Sequence, residues 1–174
     1  DKTVLLQHLL QDKAVTRALI FTRMKRGADR VTRHLKYAGI NAEALHSDKT
    51  QKERQRTLAN FKEGRTKILV ASDIAARGLD VDDISHVINF DMPEEAEVYV
   101  HRIGRTARAG AKGQAWSLCA ITERVYLEAI EKLINITIEP VTDHPYAPPE
   151  KTAIEARRKL PRRILGSRRR MRVR

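Results

Sequence analysis

Hydrophobic residues follow two different spacings along this chain. Short apolar runs predict strands, which we expect at 17–22, 41–45, 67–71, 86–90 and 114–119. Between them, apolar side chains three or four residues apart predict helices over 3–10, 28–38, 94–103 and 123–133, with a further helix running from Ser47 or Thr50 to Phe61. Gly39 and Gly64 follow two of these stretches, where glycine commonly ends a helix. A last strand at the edge of the sheet is predicted for 136–141.

Strands that alternate with helices of this length predict one α/β domain: a mostly parallel sheet with helices on both faces. In such sheets, ligands bind at the carboxyl ends of the strands. The stretch SDIAARGLDVDD at 72–83 lies between two predicted strands and is polar, small and glycine-containing. This composition predicts a functional loop, or a loop with a short helix.

The pattern changes beyond His144. A proline-rich stretch at 144–151 precedes a basic run with few apolar residues, which predicts a linker and a disordered or weakly helical tail. We therefore expect a folded domain over 1–144 and a linker with a basic tail over 145–174. Residues 146–174 carry 11 basic and 2 acidic residues, so most of the formal net charge of +12 lies there. This charge predicts a polyanionic partner, with nucleic acid ahead of an anionic membrane surface.

The single cysteine, Cys119, excludes an intramolecular disulfide and a cysteine cluster for zinc, which fits a reducing, cytoplasmic location. Because Cys119 lies in an apolar run, we interpret it as a buried thiol rather than a nucleophile. We find no apolar run long enough to span a bilayer and no export leader. The chain begins without methionine in an apparent helix, so we expect a fragment of a longer protein.

The segment HRIGRTARAG at 101–110 concentrates fixed positive charge. Arg102, Arg105 and Arg108 are three residues apart, so on a short helix or turn their guanidinium groups would share one side. Arginine binds phosphate oxygens in a bidentate way, which makes the cluster suitable for a polyphosphate. The alternative is an ordinary solvated basic helix face.

Four strings together carry a resemblance: ALIFTR at 18–23, LHSDKTQKER at 45–54, ILVASDIAARGLDV at 68–81 and HRIGRTARAG. In order, spacing and wording, they resemble the C-terminal RecA-like lobe of DEAD-box RNA helicases, over about residues 1–142. The wording is closest to the bacterial RhlE-type subgroup. The resemblance implies a lobe that closes on an N-terminal lobe, with ATP in the cleft and single-stranded RNA across both.

On the ATP side, Arg105 and Arg108 match the arginine fingers that reach the γ-phosphate across the cleft. His101 and Arg102 match residues that tie this lobe to the acidic motif of the other lobe. Positive charge supplied only after closure would make catalysis depend on docking of the lobes.

In the loop at 72–83, Asp80 matches the family residue that accepts a hydrogen bond from the ATP ribose. Gly78 would let the backbone come close there, and Arg77 would belong to the network between the lobes. From the residues alone, Asp80 is one of three nearby acids with Asp82 and Asp83, and a capping or solvated role is the alternative.

On the RNA side, six residues match backbone-contacting positions: Thr22, Arg23, Gln51, Arg54, Ser72 and Asp73. Gln51 and Arg54 are three residues apart at a helix start, so both could face one phosphate with the helix N-terminal field. Contacts of this kind position a strand without reading its bases. The alternative for Gln51 and Arg54 is an ordinary exposed helix face.

Three positions depart from the family pattern. Ser72 replaces the usual threonine and keeps the hydroxyl, while Ala107 and Ser47 each replace a glycine. If either glycine position requires a positive φ, the replacement costs on the order of 1 kcal/mol. We expect altered rates or affinities with an intact mechanism.

The chain contains no G-x-x-x-x-G-K-[ST] phosphate loop and no Asp-Glu-Ala-Asp run. The acids Asp48, Asp73 and Asp91 do not form a convincing substitute, so we predict no metal site and no ATP hydrolysis by this chain alone. Mg²⁺ would be held with ATP by the N-terminal lobe.

The leading hypothesis is therefore the C-terminal half of an ATP-dependent RNA helicase, whose partners are RNA and its own N-terminal lobe. A second hypothesis is a stand-alone RNA-binding or annealing module that acts through its basic tail. A third, a DNA helicase or another superfamily 2 motor, shares the arginine chemistry but fits the ARGLD and HRIGRTAR wording less well.

Overall fold

The computed structural model describes residues 1–76, 79, 81, 83–106, 113–141, 144 and 146. The helices and strands are, in chain order, α1 (Lys2–Leu9), β1 (Ala18–Thr22), α2 (Lys25–Tyr37), β2 (Ala42–Leu45), α3 (Gln51–Lys62), β3 (Ile68–Ser72), α4 (Asp73–Ala76), β4 (His86–Asn89), α5 (Ala96–Ile103), β5 (Gln114–Ser117), a 3₁₀ turn (Ile121–Glu123) and α6 (Arg124–Ile134).

The five strands form one parallel sheet in the order β2-β3-β1-β4-β5. This confirms the predicted α/β fold. The register pairs Thr22 of β1 with Ser72 of β3, and Phe21 of β1 with Asn89 of β4. The carboxyl ends of β3, β1 and β4 therefore lie side by side at one edge of the sheet.

Alternate residues of the strands face opposite sides, and each side is covered. On one side, Ile20 and its neighbours on the sheet form a buried cluster with Leu6 of α1 and Leu35 of α2. On the other side, Leu19 packs in a cluster that contains Phe61 of α3. Helices therefore cover both faces, as predicted.

The start of α3 is fixed by a capping box at Thr50. The hydroxyl of Thr50 accepts a hydrogen bond from Glu53 N at 3.3 Å, and the Glu53 carboxylate accepts one from Thr50 N at 2.8 Å. Because two otherwise unpaired amides are satisfied in this way, the helix begins after Thr50 rather than after Ser47. At the other end, Gly64 has φ +74°, the left-handed conformation predicted for a helix stop.

The predicted edge strand at 136–141 is wrong, because these residues form no strand. Helix α6 ends at Asn135, which adopts a left-handed conformation with φ 54° and turns the chain. Glu131 then binds the segment: its carbonyl accepts from Ile136 N at 3.3 Å and its carboxylate from Ile138 N at 2.8 Å. Ile138 also packs against the apolar cluster between α5 and α6. The end of α6 thus accepts backbone hydrogen bonds from residues 136–138 that a neighbouring strand would otherwise accept.

The chain divides into two compact units, Asp1–Pro140 and Val141–Arg174. In the second unit the structure describes residues 141, 144 and 146, where Tyr146 N donates to His144 Nδ1 at 3.2 Å. The predicted linker and tail lie almost entirely outside the described residues. Among the helices that are described, none combines the length and the apolar character needed to cross a bilayer.

Candidate functional site

Several sequence-predicted site residues lie together at the carboxyl edge of the sheet. Thr22 and Ser72 end adjacent strands in register, and Asp73 begins α4 directly after Ser72. Helix α5, which follows β4, brings Arg102 to the same edge, where it contacts Asp73. Residues separated by up to 80 positions in sequence are therefore brought together.

Arg102 is the main buried charge of this edge, with 2% of its surface exposed. Its Nε and Nη2 donate to the two carboxylate oxygens of Asp73 at 2.6 and 2.8 Å. Its Nη1 donates to Asn89 Oδ1 at 3.0 Å and to the carbonyl of Asp91 at 2.7 Å. The guanidinium also lies 5.0 Å from the centre of the Phe21 ring. A buried guanidinium needs this level of pairing, so Arg102 is committed to contacts within the domain.

Arg105 lies just beyond the end of α5 and is half-buried. Its Nη1 donates to the carbonyl of Leu79 at 3.0 Å, in the loop that follows α4. The next residue, Thr106, is buried and donates to the carbonyl of Ile84 at 2.6 Å. The turn after α5 is thus attached at two points to the 72–83 loop and its continuation.

Arg102 and Arg105 do not share one side, as they would on a continuous helix. Helix α5 ends at Ile103 and Gly104 forms its C-cap, so Arg102 points into the interior while Arg105 lies on the loop. A Cβ at Gly104 would lie 3.2 Å from the carbonyl oxygen of Val100, which is a tight contact. His101 is exposed on the last turn of α5, where it can meet another surface.

Two predicted RNA-contacting residues lie largely inside the domain. Thr22 is fully buried, and its hydroxyl donates to the carbonyl of Met24 at 3.1 Å. A Cβ at Gly27 would lie 3.4 Å from that of Thr22, so α2 begins in close contact with the strand end. Ser72 is 9% exposed. Thr22 therefore stabilises the turn between β1 and α2 from inside the domain.

Arg23 and the start of α3 are accessible. The side chain of Arg23 is 39% exposed and forms ion pairs with Glu94 at 3.2 Å and Glu123 at 3.3 Å. Gln51 is exposed and Arg54 is half-buried on the first turn of α3. For these two side chains we find no hydrogen bond or ion pair within the part of the chain that the structure describes. Both are therefore available to an external group.

Three predicted site residues, Gly78, Asp80 and Arg108, lie outside the described residues, as do Arg77 and Ala107.

Comparison with known proteins identifies the family. Residues 1–110 match the family model described as the helicase conserved C-terminal domain. Over 120 residues the chain is 50% identical to DEAD-box ATP-dependent RNA helicase 30 of Arabidopsis thaliana, covering 69% of this chain and 20% of that protein. The crystal structure of the E. coli DEAD-box protein SrmB bound to RraA is similar with a TM-score of 0.76 and 42% identity, covering 80% of this chain and 84% of that chain. The chain is a helicase C-terminal domain of the DEAD-box family.

This DEAD-box lobe is also similar to S. cerevisiae Dbp5 bound to RNA and ADP BeF3, with a TM-score of 0.72 and 35% identity. That match covers 80% of the lobe and 37% of the Dbp5 chain. The lobe spans about a fifth of the length of its Arabidopsis relative. The relatives are ATP-dependent RNA helicases by name.

Three residues that lie at the DEAD-box lobe's carboxyl edge were assigned no role there from the sequence: Asn89, Asp91 and Glu123. Asn89 and Asp91 contact Arg102, and Asp91 also accepts from Arg23 N at 2.9 Å. The available signal was an asparagine within an otherwise apolar strand run, at the end where ligands bind. Glu123 was predicted only as the start of the last helix.

Cys119 of the helicase lobe lies two residues after β5 and is half-buried. Burial raises the pKa of its thiol to about 11, and the nearby carboxylate of Glu123 adds to this effect. The thiol is therefore protonated at neutral pH, which agrees with its interpretation as an unreactive side chain.

Proposed function

We propose that this domain is the C-terminal lobe of an ATP-dependent RNA helicase, in which it supplies one side of the ATP cleft and one side of the RNA groove. The observation that carries the proposal is the contact of Arg102 with Asp73. This contact joins α5, which precedes the proposed arginine finger Arg105, to Asp73, which is proposed to contact RNA. A rigid link of this kind lets closure on ATP and binding of RNA depend on each other.

On the ATP side, Arg105 and Arg108 are the proposed arginine fingers, with His101 in the contact between lobes. Bound ATP would supply the phosphoryl group, and these arginines would stabilise the negative charge that develops on it. The half-buried position of Arg105 supports this role, because its contact with Leu79 restricts the guanidinium before closure. Asp80 and Gly78, which flank Leu79 in sequence, are proposed to hold the ribose.

On the RNA side, Arg23, Gln51 and Arg54 are the proposed direct contacts with phosphates. Gln51 and Arg54 lie on the first turn of the 12-residue helix α3, where backbone N–H groups and the helix field favour an anion. Asp73, Ser72 and Thr22 carry more structural contacts. For them we propose mainly the shaping of the groove, although 28% of the Asp73 side chain remains exposed.

The proposal assigns Mg²⁺ to the N-terminal lobe. Within the described parts of this chain, no group of three or more histidine, cysteine, aspartate or glutamate side chains could hold a metal ion. We propose that hydrolysis requires both lobes. The RhlE-type subgroup and a cytoplasmic location remain predictions from the sequence.

A second candidate function rests on the charge of the tail. Residues 146–174 carry a net charge of +9, enough for strong sequence-independent binding to RNA. In that case the domain would bind or anneal RNA without help from the arginines of the edge. The two candidates differ in whether ATP turnover depends on Arg105.

The test is Arg105→Ala in the protein that carries both lobes. We expect RNA-stimulated ATP turnover to fall by about a thousandfold or more, as for other arginine fingers, with RNA affinity nearly unchanged. Arg65→Ala is the matched control, because Arg65 is an exposed arginine paired with Glu63 away from the edge. Normal turnover in the Arg105 variant would refute the arginine-finger assignment.

A further inference from the structure

Glu123 is a buried carboxylate that none of the helicase motifs contains. It is 6% exposed and accepts hydrogen bonds from four donors. Its Oε1 accepts from Arg23 Nη2 and from Met92 N, both at 3.3 Å. Its Oε2 accepts from Ala120 N at 2.8 Å and from the ammonium of Lys2. Both oxygens are therefore fully used, and the side chain has one fixed orientation.

The four donors come from four separate parts of the fold. Lys2 belongs to α1, Arg23 follows β1, Met92 follows β4 and Ala120 follows β5. Two of the donors are cations, which compensate for the removal of the carboxylate from water. Glu123 thus ties the ends of three strands and one helix together beside the proposed RNA groove.

Arg23 has two further contacts that define how its side chain is held. Its Nη1 pairs with Glu94 at 3.2 Å, and its guanidinium lies 5.6 Å from the centre of the Tyr126 ring. The side chain of Glu94 is 58% exposed, whereas that of Glu123 is 8% exposed. Moving Glu94 away from Arg23 therefore costs little free energy, while Glu123 and Tyr126 hold the guanidinium in a fixed position.

We propose that Glu123 is a positioning residue for RNA binding, which holds Arg23 in the orientation that meets a phosphate. This inference rests on the proposed function and extends it to a residue outside the motifs. An arginine side chain has many rotamers, and restricting them before binding reduces the entropy lost when a phosphate binds. The phosphate would replace Glu94 on Nη1 while Glu123 keeps Nη2.

The direct test is Glu123→Gln in the protein with both lobes. Glutamine keeps the size of the side chain and an oxygen that accepts from a backbone amide, but it removes the charge that holds Arg23. We expect the KM for single-stranded RNA in the ATPase assay to rise about five- to tenfold, the usual cost of ordering one long side chain on binding. We expect kcat at saturating RNA to stay within about twofold, because Arg105 is not disturbed.

Glu94→Gln is the matched control, since Glu94 pairs with the same guanidinium from an exposed position. Its RNA KM should be equal to or lower than that of the parent, because the variant removes a competitor of the phosphate. An RNA affinity of the Glu123 variant as high as that of the parent would overturn the inference.

A double variant separates positioning from a general structural role. In an Arg23→Gln background, Glu123→Gln should have no further effect on the RNA KM, since its effect passes through Arg23. If the full effect persists in that background, Glu123 acts on the structure as a whole and the inference fails. If Glu123→Gln does not fold, Tyr126→Leu replaces it, with an expected KM increase of about two- to threefold that is again absent in the Arg23→Gln background.

A different result would show that the proposed function itself is wrong. A parent protein without RNA-stimulated ATP turnover would contradict the proposed function. The same variants would then be compared by direct binding of a fluorescent single-stranded RNA, and Glu123 is a positioning residue only if its effect requires Arg23.

Discussion

Arg102 and Asp73 are joined by two hydrogen bonds between a guanidinium and a carboxylate, with distances of 2.6 and 2.8 Å. Arg102 lies three residues before Arg105, and Asp73 directly follows the end of β3. The arginine is buried, while 28% of the Asp73 side chain remains exposed. This geometry requires a planar group with several donors, which lysine does not provide.

Arg102→Lys should therefore destabilise the domain although it keeps the positive charge. We expect the free energy of unfolding to fall by about 2–4 kcal/mol, because the carboxylate of Asp73, Asn89 and the carbonyl of Asp91 lose donors inside the domain. Urea denaturation of the chain measures this loss. Arg65→Lys, on an exposed arginine, is the control and should change stability by less than about 0.5 kcal/mol. An unchanged urea midpoint for Arg102→Lys would show that the fork geometry contributes nothing.

Asp73 and Arg102 should also be energetically coupled. We expect Asp73→Asn and Arg102→Gln together to cost less than the sum of the single variants, by about 1.5–3 kcal/mol. The reason is that each single variant leaves the other partner without its counter-charge. A double-mutant cycle in urea provides the measurement, and additive costs would contradict a coupled pair.

Arg54→Gln should weaken binding of single-stranded RNA without changing stability. Loss of one phosphate contact should lower the magnitude of the slope of log K against log salt by about 0.7. Arg56→Gln is the matched control, because Arg56 is exposed on the same helix but outside its first turn. Fluorescence anisotropy over a series of salt concentrations measures the slope for each variant. Equal slopes for the Arg54 and Arg56 variants would show that Arg54 does not contact RNA.

Deletion of 150–174 should weaken RNA binding at low salt and leave the catalytic step intact. The deletion removes 11 basic residues, so the salt dependence of binding should become shallower. ATP turnover at saturating RNA provides the check on the catalytic step. If duplex RNA affinity is the same with and without these residues, the tail only affects solubility or expression.

Cys119 should react slowly with alkylating reagents. With a pKa of about 11, its thiolate fraction at pH 8 is about a hundredfold below that of a free thiol with a pKa near 9. The rate should keep rising with pH toward 11, since deprotonation occurs only there. Mass spectrometry of iodoacetamide labelling between pH 7 and pH 10 measures this, and a plateau near pH 9.5 would contradict the raised pKa.

The sheet and its helices could be predicted because buried parallel strands require continuous apolar runs such as KILVA and HVINF. The failed strand at 136–141 has a different local signal, because apolar Ile136 and Ile138 alternate with Thr137 and Glu139. There the outcome depended on the left-handed Asn135 and on Glu131, which binds Ile136 and Ile138. The local pattern of apolar residues does not predict such contacts at a helix end.

The motif wording selected residues that the fold brings to one edge of the sheet, such as Thr22, Asp73 and Arg102, but it did not indicate how differently their side chains are buried. The three-residue spacing of Arg102 and Arg105 suggests equal exposure, whereas the end of α5 at Ile103 separates a buried side chain from a half-buried one. Glu123 could not be selected from the sequence, because its donors come from residues as distant as Lys2. Burial of a charged group depends on the partners that the fold supplies.

The position of β1 in the middle of the sheet also determines when the domain can form during synthesis. Ala18 pairs with Ile68 on one side and His86 on the other. The central strand therefore emerges from the ribosome roughly 50 residues before its first neighbour, and parallel pairing across such distances is slow. During that interval ALIFT is an apolar segment without its neighbours in the sheet, which is the kind of surface that favours aggregation before folding is complete.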